Sequence, residues 1–193
     1  MSSPLPSGLA RFSLENRVAL VTGSTTGLGK AMAFALGSAG AKVALNYARS
    51  QQRAEECFAE YEREGLDGQL FRADVTDPGD VGPIDVLVVN ATPDQPELPI
   101  EQYDWEFYQS MLDHFIKSPY LLTRAVLPHM KQQRWGRIIN IGSEVFQRGV
   151  GNFSAYVAAK GGQNGWTRSM ATELRPYGIT VNMISPGWIP VDR

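Results

Sequence analysis

"RVALVTGSTTGLGK", Arg17 to Lys30, decides how the rest of this chain is read. Its first half is a short β-rich apolar run. Its second half is a turn holding Gly23, Gly27 and Gly29, and the small, apolar stretch "LGKAMAFALGSAG" (Leu28–Gly40) that follows has helical character and stops at a glycine. Glycines between a strand and a helix let the backbone turn sharply and come close to a pyrophosphate, whose charge is favoured at a helix N-terminus. The spacing is G-x3-G-x-G and not G-x-G-x-x-G, so the usual dinucleotide fingerprint is not matched. A tight turn without a ligand would need no more than this, and the rest of the chain has to carry the case for a cofactor.

Working outward, short β-rich runs alternate with longer helical ones. "KVALN" (Lys42–Asn46), "GQLFRA" (Gly68–Ala73), "IDVLVVN" (Ile84–Asn90), "GRIINIGS" (Gly136–Ser143) and "ITVNMI" (Ile179–Ile184) read as further strands. "SQQRAEECFAEYEREG" (Ser50–Gly65) reads as an amphipathic helix with a serine cap and a glycine stop. Residues 103–133 read as mostly helical, with Pro119 and Pro128 interrupting, and 154–178 as one long helix. Nearly continuous apolar strands belong in a parallel sheet covered on both faces. Strand–helix alternation makes it doubly wound. The expected fold is therefore α/β: one Rossmann domain of three layers over residues 10–193, after a Ser-, Pro- and Gly-rich start expected to be disordered over 1–9.

One crossover is short. "DVTDPGDVGP", Asp74 to Pro83, must join the third and fourth strands, and parallel neighbours need about a dozen residues, usually with a helix. Either the helix is absent here, or the sequence joins segments across residues that it does not contain. Without a helix, part of one sheet face is expected to stay uncovered.

The chain has 193 residues, 43% apolar and 20% charged, with a net charge of −2. That suits one globular domain and gives no basic face for nucleic acid. Cys57 is the single cysteine, as in a reducing compartment, and reads as a small buried hydrophobe on a helix. With no signal peptide and no span of about 20 apolar residues, the expectation is a cytoplasmic protein with no membrane partner. His114 and His129 lack metal-ligand spacing, so no catalytic metal is expected.

The second strand ends in "NYARS". An acidic residue there usually holds a free ribose 2′-hydroxyl, but this chain has Asn46 and then Arg49. A cation at a helix start opposes the helix dipole, and a phosphate bound beside it relieves that repulsion. Arg49 thus points to NADP(H), with NAD(H) left possible.

"SAYVAAK", Ser154 to Lys160, places Tyr156 one helical turn before Lys160. Such pairs are unremarkable alone. Ser143, 13 residues upstream at the C-terminal end of a strand, shares the sheet edge where ligands bind in this class of fold. Hydride transfer to a carbonyl leaves an alkoxide that needs a proton. Tyrosine can give it, yet its reference pKa is about 10, and bringing it to about 7 takes roughly 4 kcal/mol. A lysine ammonium one turn away favours the phenolate. An exposed pair supplies too little, so the site must be partly closed. Ser143 would donate to the carbonyl oxygen.

Together the Thr22–Gly29 turn, "DV" at Asp74–Val75, "VNA" at Val89–Ala91, Ser143, Tyr156, Lys160 and "PG" at Pro186–Gly187 resemble the short-chain dehydrogenase/reductase family, in the texture of its ketoacyl-carrier-protein reductases and glucose-dehydrogenase-like members. The resemblance runs from about Leu14 onward. It implies a hydride-transferring oxidoreductase on a small-molecule carbonyl or secondary alcohol, with Ser143, Tyr156 and Lys160 catalytic. It also implies cofactor contacts from Thr22, Gly23, Thr25, Gly27, Leu28 and Gly29 in the turn, and from Asn46 and Arg49 after it. Asp74 and Val75 would meet the adenine, and Asn90 would support the cofactor. Lys160 would hold the nicotinamide ribose beside Tyr156. Pro186, Gly187 and Ile189 would border the nicotinamide.

A homodimer or homotetramer is implied, through the helices over 103–133 and 154–177. Trp105, Phe107, Leu121 and Trp166 would offer apolar surface, or serve as ordinary core. Departures stand beside the matches: Thr92 where the family has glycine, Phe115 where it has a relay asparagine, with His114 next to it, and Val191 for a threonine. They allow an alternative, a catalytically impaired nucleotide-binding member. The family's helix between the third and fourth strands and its C-terminal substrate lobe have no counterpart in the sequence, which leaves the substrate unassigned.

Overall fold

A computed structural model describes residues 10–77, 79 and 81–190. The expected disorder over 1–9 and the Val191 position lie outside the described residues. Six strands, β1 (Val18–Val21), β2 (Lys42–Tyr47), β3 (Gly68–Arg72), β4 (Val86–Val89), β5 (Gly136–Ile141) and β6 (Ile179–Ile184), form one sheet in the order β3-β2-β1-β4-β5-β6. Every pairing is parallel. The strands are the apolar runs of the sequence, and β4 is buried along its whole length, as a strand covered on both faces must be. The chain starts at β1, winds outward to β3, and crosses back to β4 beside β1. The topological switch point therefore lies between β1 and β4.

Helices α1 (Gly27–Ser38) and α2 (Gln51–Arg63) cover one face. There Ala33, Cys57 and Tyr61 pack on Ala19, Val21, Val43, Leu45 and Val88. Burial pushes the Cys57 thiol up from its ordinary pKa. On the other face α4 (Ser118–Gln132) and, after the short α5 (Val145–Arg148), α6 (Ser154–Leu174) bring Leu122, Val126, Met130 and Leu174 onto Leu20, Leu87, Ile138 and Val181. The three expected layers are present.

Two local features differ from the sequence reading. Pro119 and Pro128 do not interrupt the helical stretch, because α3 (Trp105–Leu112) runs through a π-helical turn, Asp113–Lys117, directly into α4. A proline ring excludes the carbonyl four residues back, and Pro119 would meet that of Phe115; the wider turn, with the Ser118 N–H on the Asp113 carbonyl, removes the clash. Pro128 sits inside α4, where it removes one hydrogen bond of the ladder and the helix continues past it.

Among the described residues the crossover from β3 to β4 holds no helix. Val75 and Ile84 from its two ends are buried, but the face beside it is open. A cleft of about 650 Å³ runs there over Leu20, Ala44, Phe71 and Val81. Phe71 is 47% exposed.

Candidate active site

A second cavity, of about 500 Å³, opens at the C-terminal ends of β1, β4, β5 and β6. The glycine turn forms one wall. Gly23 has φ of 61°, and a Cβ on it would fall 2.9 Å from the Ala91 Cα. A Cβ on Gly29 would collide with the Gly23 carbonyl oxygen and with Asn90 Nδ2. Two asparagines pin the turn. Asn46 Oδ1 accepts from the Gly23 N–H at 3.1 Å, and Asn90 Nδ2 donates to the carbonyls of Thr22 and Gly23 at 2.9 and 3.1 Å. The Thr22 hydroxyl accepts from the backbone N–H groups of Asn90 and Ala91 at 2.8 and 3.0 Å.

Of the residues singled out from the sequence, Thr22 alone does not line this cavity. It lies buried beneath the turn, tying β1 to β4. Asn46 borders the cavity but spends its amide on the Gly23 N–H and, through Nδ2, on the Ala73 carbonyl at 3.0 Å. All the others line it, from the turn round to Ser143, Tyr156, Lys160 and the Pro186–Ile189 rim.

The walls fit an anionic dinucleotide. Thr26, at the N-cap of α1, makes no side-chain cap bond, and neither does Ser50 at the start of α2. The first-turn N–H groups of both helices are therefore left for a ligand at the cavity. Arg49 is exposed there, and Arg53 stands one turn further along α2. Neither makes a salt bridge among the described residues. Arg53 was missed in the sequence, although its i,i+4 spacing from Arg49 was a readable signal. Asp74 sits opposite. Hydrogen bonds from the Thr76 N–H and hydroxyl, both 2.8 Å, hold its carboxyl below the ordinary carboxylate range, and His114 and Arg49 act in the same direction.

At the other end Ser143 Oγ accepts a weak bond from the Val145 N–H at 3.4 Å. Tyr156 is 9% exposed, flanked by Phe153 and Phe115 with ring centroids 4.9 and 5.3 Å away. Lys160 is buried, and burial pushes its pKa down to about 7. Its Nζ donates to the Ile141 carbonyl at 2.6 Å and to Gln163 Oε1 at 3.1 Å, and lies 3.8 Å from the Phe115 ring centroid. The sequence reading had not found Gln163. Phe115 packs on both Tyr156 and Lys160. His114 bonds the Ser110 carbonyl through Nδ1 at 2.9 Å and borders the cavity. Among the described residues no group of side chains could hold a metal, and no helix is long and apolar enough to cross a membrane.

A parallel doubly wound sheet, a glycine-built anion cradle at its switch point, and a serine, tyrosine and lysine in the same cavity define a nicotinamide-dependent oxidoreductase of Rossmann type. The short chain dehydrogenase family matches residues 17–192, and the chain belongs to that family. It is 37% identical over 195 residues to the 2-dehydro-3-deoxy-D-gluconate 5-dehydrogenase of Formosa agariphila, covering 94% of this chain and 73% of that protein. It is 36% identical to a 3-oxoacyl-(acyl-carrier-protein) reductase of Escherichia coli, covering 94% and 77%. Its fold matches the crystal structure of a 3-oxoacyl (acyl-carrier-protein) reductase from Agrobacterium tumefaciens with NADP bound, at a TM-score of 0.86 and 28% identity, covering 94% and 73%. The chain is thus an NAD(P)-dependent oxidoreductase acting on a small-molecule substrate.

Proposed function

We infer that the cavity is the site where this chain interconverts a secondary alcohol and its ketone, with NADP(H) as the preferred cofactor and Ser143, Tyr156 and Lys160 as the catalytic residues. The observation that carries the reading is the convergence of those three side chains with the glycine turn on one cavity. The cofactor would lie with its pyrophosphate on the Gly23–Gly29 turn and the start of α1, its adenine near Asp74 and Val75, and a 2′-phosphate near Arg49 and Arg53. Its nicotinamide would face Tyr156. When bound, it supplies the hydride for reduction and accepts it in oxidation.

The chain's own residues then have three tasks. Ser143 donates a hydrogen bond to the carbonyl oxygen and stabilises the negative charge that grows there. Tyr156 gives its phenolic proton to that oxygen, and takes it back when the alcohol is oxidised. Lys160, one turn on, supports the phenolate that is left behind. The aromatic walls of Phe115 and Phe153 exclude water and strengthen each of these interactions.

Relatives named 2-dehydro-3-deoxy-D-gluconate 5-dehydrogenase and 3-oxoacyl-(acyl-carrier-protein) reductase support a ketone or secondary alcohol as the reacting group. A homodimer or homotetramer through α3, α4 and α6 is part of this reading. Trp105 is 66% exposed, and Phe107, Leu121 and Trp166 are half-buried on these helices. A cytoplasmic location accords with the single, buried cysteine. The test is an NADPH fluorescence titration followed by turnover with a panel of ketones and the matching alcohols. Tight NADPH binding without turnover of any of them would overturn the reading.

A further inference from the structure

Lys160 is a deeply buried amine at the cavity wall, and three different elements hold it. The Ile141 carbonyl comes from the last residue of β5, Gln163 from the next turn of α6, and the Phe115 ring from the π-helical turn. Gln163 is 1% exposed. A carboxamide buried that deeply is costly unless it is hydrogen-bonded, and the partner of its oxygen is the lysine. An ammonium has three N–H donors. Two are spent on these oxygens, which leaves one for a ligand in the cavity or for the tyrosine side.

The seat is also neutral. Ionisable groups on the elements around it are Tyr156, Arg168 and Glu173 on α6, Asp113, His114 and Lys117 in the turn of Phe115, Arg137 near the start of β5, Asp74 across the cavity and Glu144 beyond β5. Asp113 accepts from Gln109, and Glu144 pairs with Arg148 at 2.6 Å. No salt bridge reaches Lys160 among the described residues. A carboxylate at position 163 would hold the ammonium but cancel its field at Tyr156. An apolar side chain would leave a buried ammonium with one protein oxygen. A neutral amide oxygen fixes the charge and leaves its field intact.

We propose that Gln163 is a positioning residue for proton transfer: with the Ile141 carbonyl and the Phe115 ring it forms an uncharged seat that holds the Lys160 ammonium where it supports the Tyr156 phenolate. This rests on the reading of Tyr156 and Lys160 as the proton-transferring pair.

Gln163→Met, close in volume and without the acceptor, is compared with Gln163→Glu, which keeps the acceptor and adds charge. Three quantities are read: the pH profile of alcohol oxidation with NADP, NADPH affinity, and the Lys160 titration by nitrogen NMR of the lysine side chains. Both variants should move the rising limb of the oxidation profile to higher pH. A one-unit move lowers the rate near neutral pH about tenfold. NADPH affinity should change by less than about threefold, an energy below one pKa unit. The Lys160 titration should fall in Gln163→Met and rise in Gln163→Glu. If Gln163→Met does not fold, the Glu variant carries the same test through a raised Lys160 titration beside a rising limb moved to higher pH. Wild-type profiles and an unmoved Lys160 titration in the variants, beside an active wild type, overturn the proposal alone. A wild type inactive on the whole panel overturns the proton-transfer reading beneath it, and the proposal with it, even where the lysine titration still moves.

Discussion

The two edges of the sheet treat charge in opposite ways. At the N-terminal edge Asp85, just before β4, is 5% exposed and fully partnered. It accepts from the Val18 N–H at 2.8 Å and from Gln133 Nε2 at 2.6 Å, with His129 Nε2 at 3.3 Å and Arg17 at 3.5 Å. Burial raises its pKa, but these partners outweigh burial and hold the carboxyl below its ordinary value. At the C-terminal edge Lys160 is as deeply buried and has no counter-ion among the described residues, while Arg49 and Arg53 stand over the cavity unpaired. One edge closes its charges on itself and ties β1, β4 and α4 together. The other holds Lys160, Arg49 and Arg53 without a salt bridge among the described residues, although Asp74 stands in the same cavity, and for the buried Lys160 that costs stability. That asymmetry, more than any single side chain, marks which edge is the working one.

The sharpest way to break this contrast is at the tyrosine. If the C-terminal edge exists for proton transfer, Tyr156→Phe removes the proton and little else. Turnover should fall by about 10³-fold, within the range general acid–base groups contribute. NADPH binding should persist. Retention of wild-type turnover would take the proton role away from this edge. Steady-state kinetics beside a fluorescence titration reads both quantities.

Next in size is the cost of the unpaired lysine. Its folded pKa of about 7 lies below the ordinary 10.5. Between those values the unfolded chain binds more protons than the folded one, so wild-type stability rises with pH across that window. Below it, both states carry the proton and the full cost of burying the ammonium remains. Lys160→Met lacks this term. It should be inactive yet more stable than wild type near pH 7, by roughly 1–4 kcal/mol, with the gap narrowing towards pH 10. Urea denaturation at both pH values measures the gap, and a gap that does not change with pH sinks the idea.

Asp85 runs the other way and with a smaller effect. Its depressed pKa contributes stability that is present above the ordinary carboxylate value and is lost as pH falls through the folded one. Asp85→Asn keeps the shape and gives up the charge-assisted bonds, for about 1–3 kcal/mol near pH 7. Its acid limb should be flatter than that of wild type, and turnover should be unchanged. A loss of turnover without a loss of stability would mean that the two edges are not independent.

How far these edges could be read from the sequence follows from the physics of each signal. The inner strands were legible because a doubly covered parallel strand must be continuously apolar, whereas β3 and β6, each exposed at three residues, were legible only as short β-rich runs. Ser143, Tyr156 and Lys160 were legible because each sits at a strand end or a one-turn spacing that chemistry demands. Gln163 was not, since a glutamine on a helix reads as solvated until the packing shows it buried. Asp85 was hidden for the same reason, its partners being up to 68 residues away in sequence. Pro119 was misread because a proline's local veto on an α-turn can be met by a π-turn, and that choice is made by the packing of Phe115 below it. Thr22, expected at the cofactor, turns its hydroxyl to the Asn90 and Ala91 N–H groups beneath the turn, a direction no sequence signal gives.

The smallest expected effect lies furthest out, at Arg49. It is exposed, so any phosphate contact is screened by solvent and salt, unlike the contacts of Lys160 or Asp85. A hydrogen bond to a charged group is still worth about 1.5–3 kcal/mol, so Arg49→Ala should weaken NADPH by about tenfold. NADH lacks the phosphate and should be nearly unaffected. Arg53, one turn along, shares the load, and the double variant should weaken NADPH further than Arg49→Ala alone. Since both cations act through an exposed field, added salt should shrink the NADPH advantage of wild type and leave the double variant nearly flat. Equal weakening of NADH and NADPH would mean that Arg49 orders the β2–α2 turn and binds no phosphate. The unpaired cations of this edge would then serve the fold, as Asp85 does at the other.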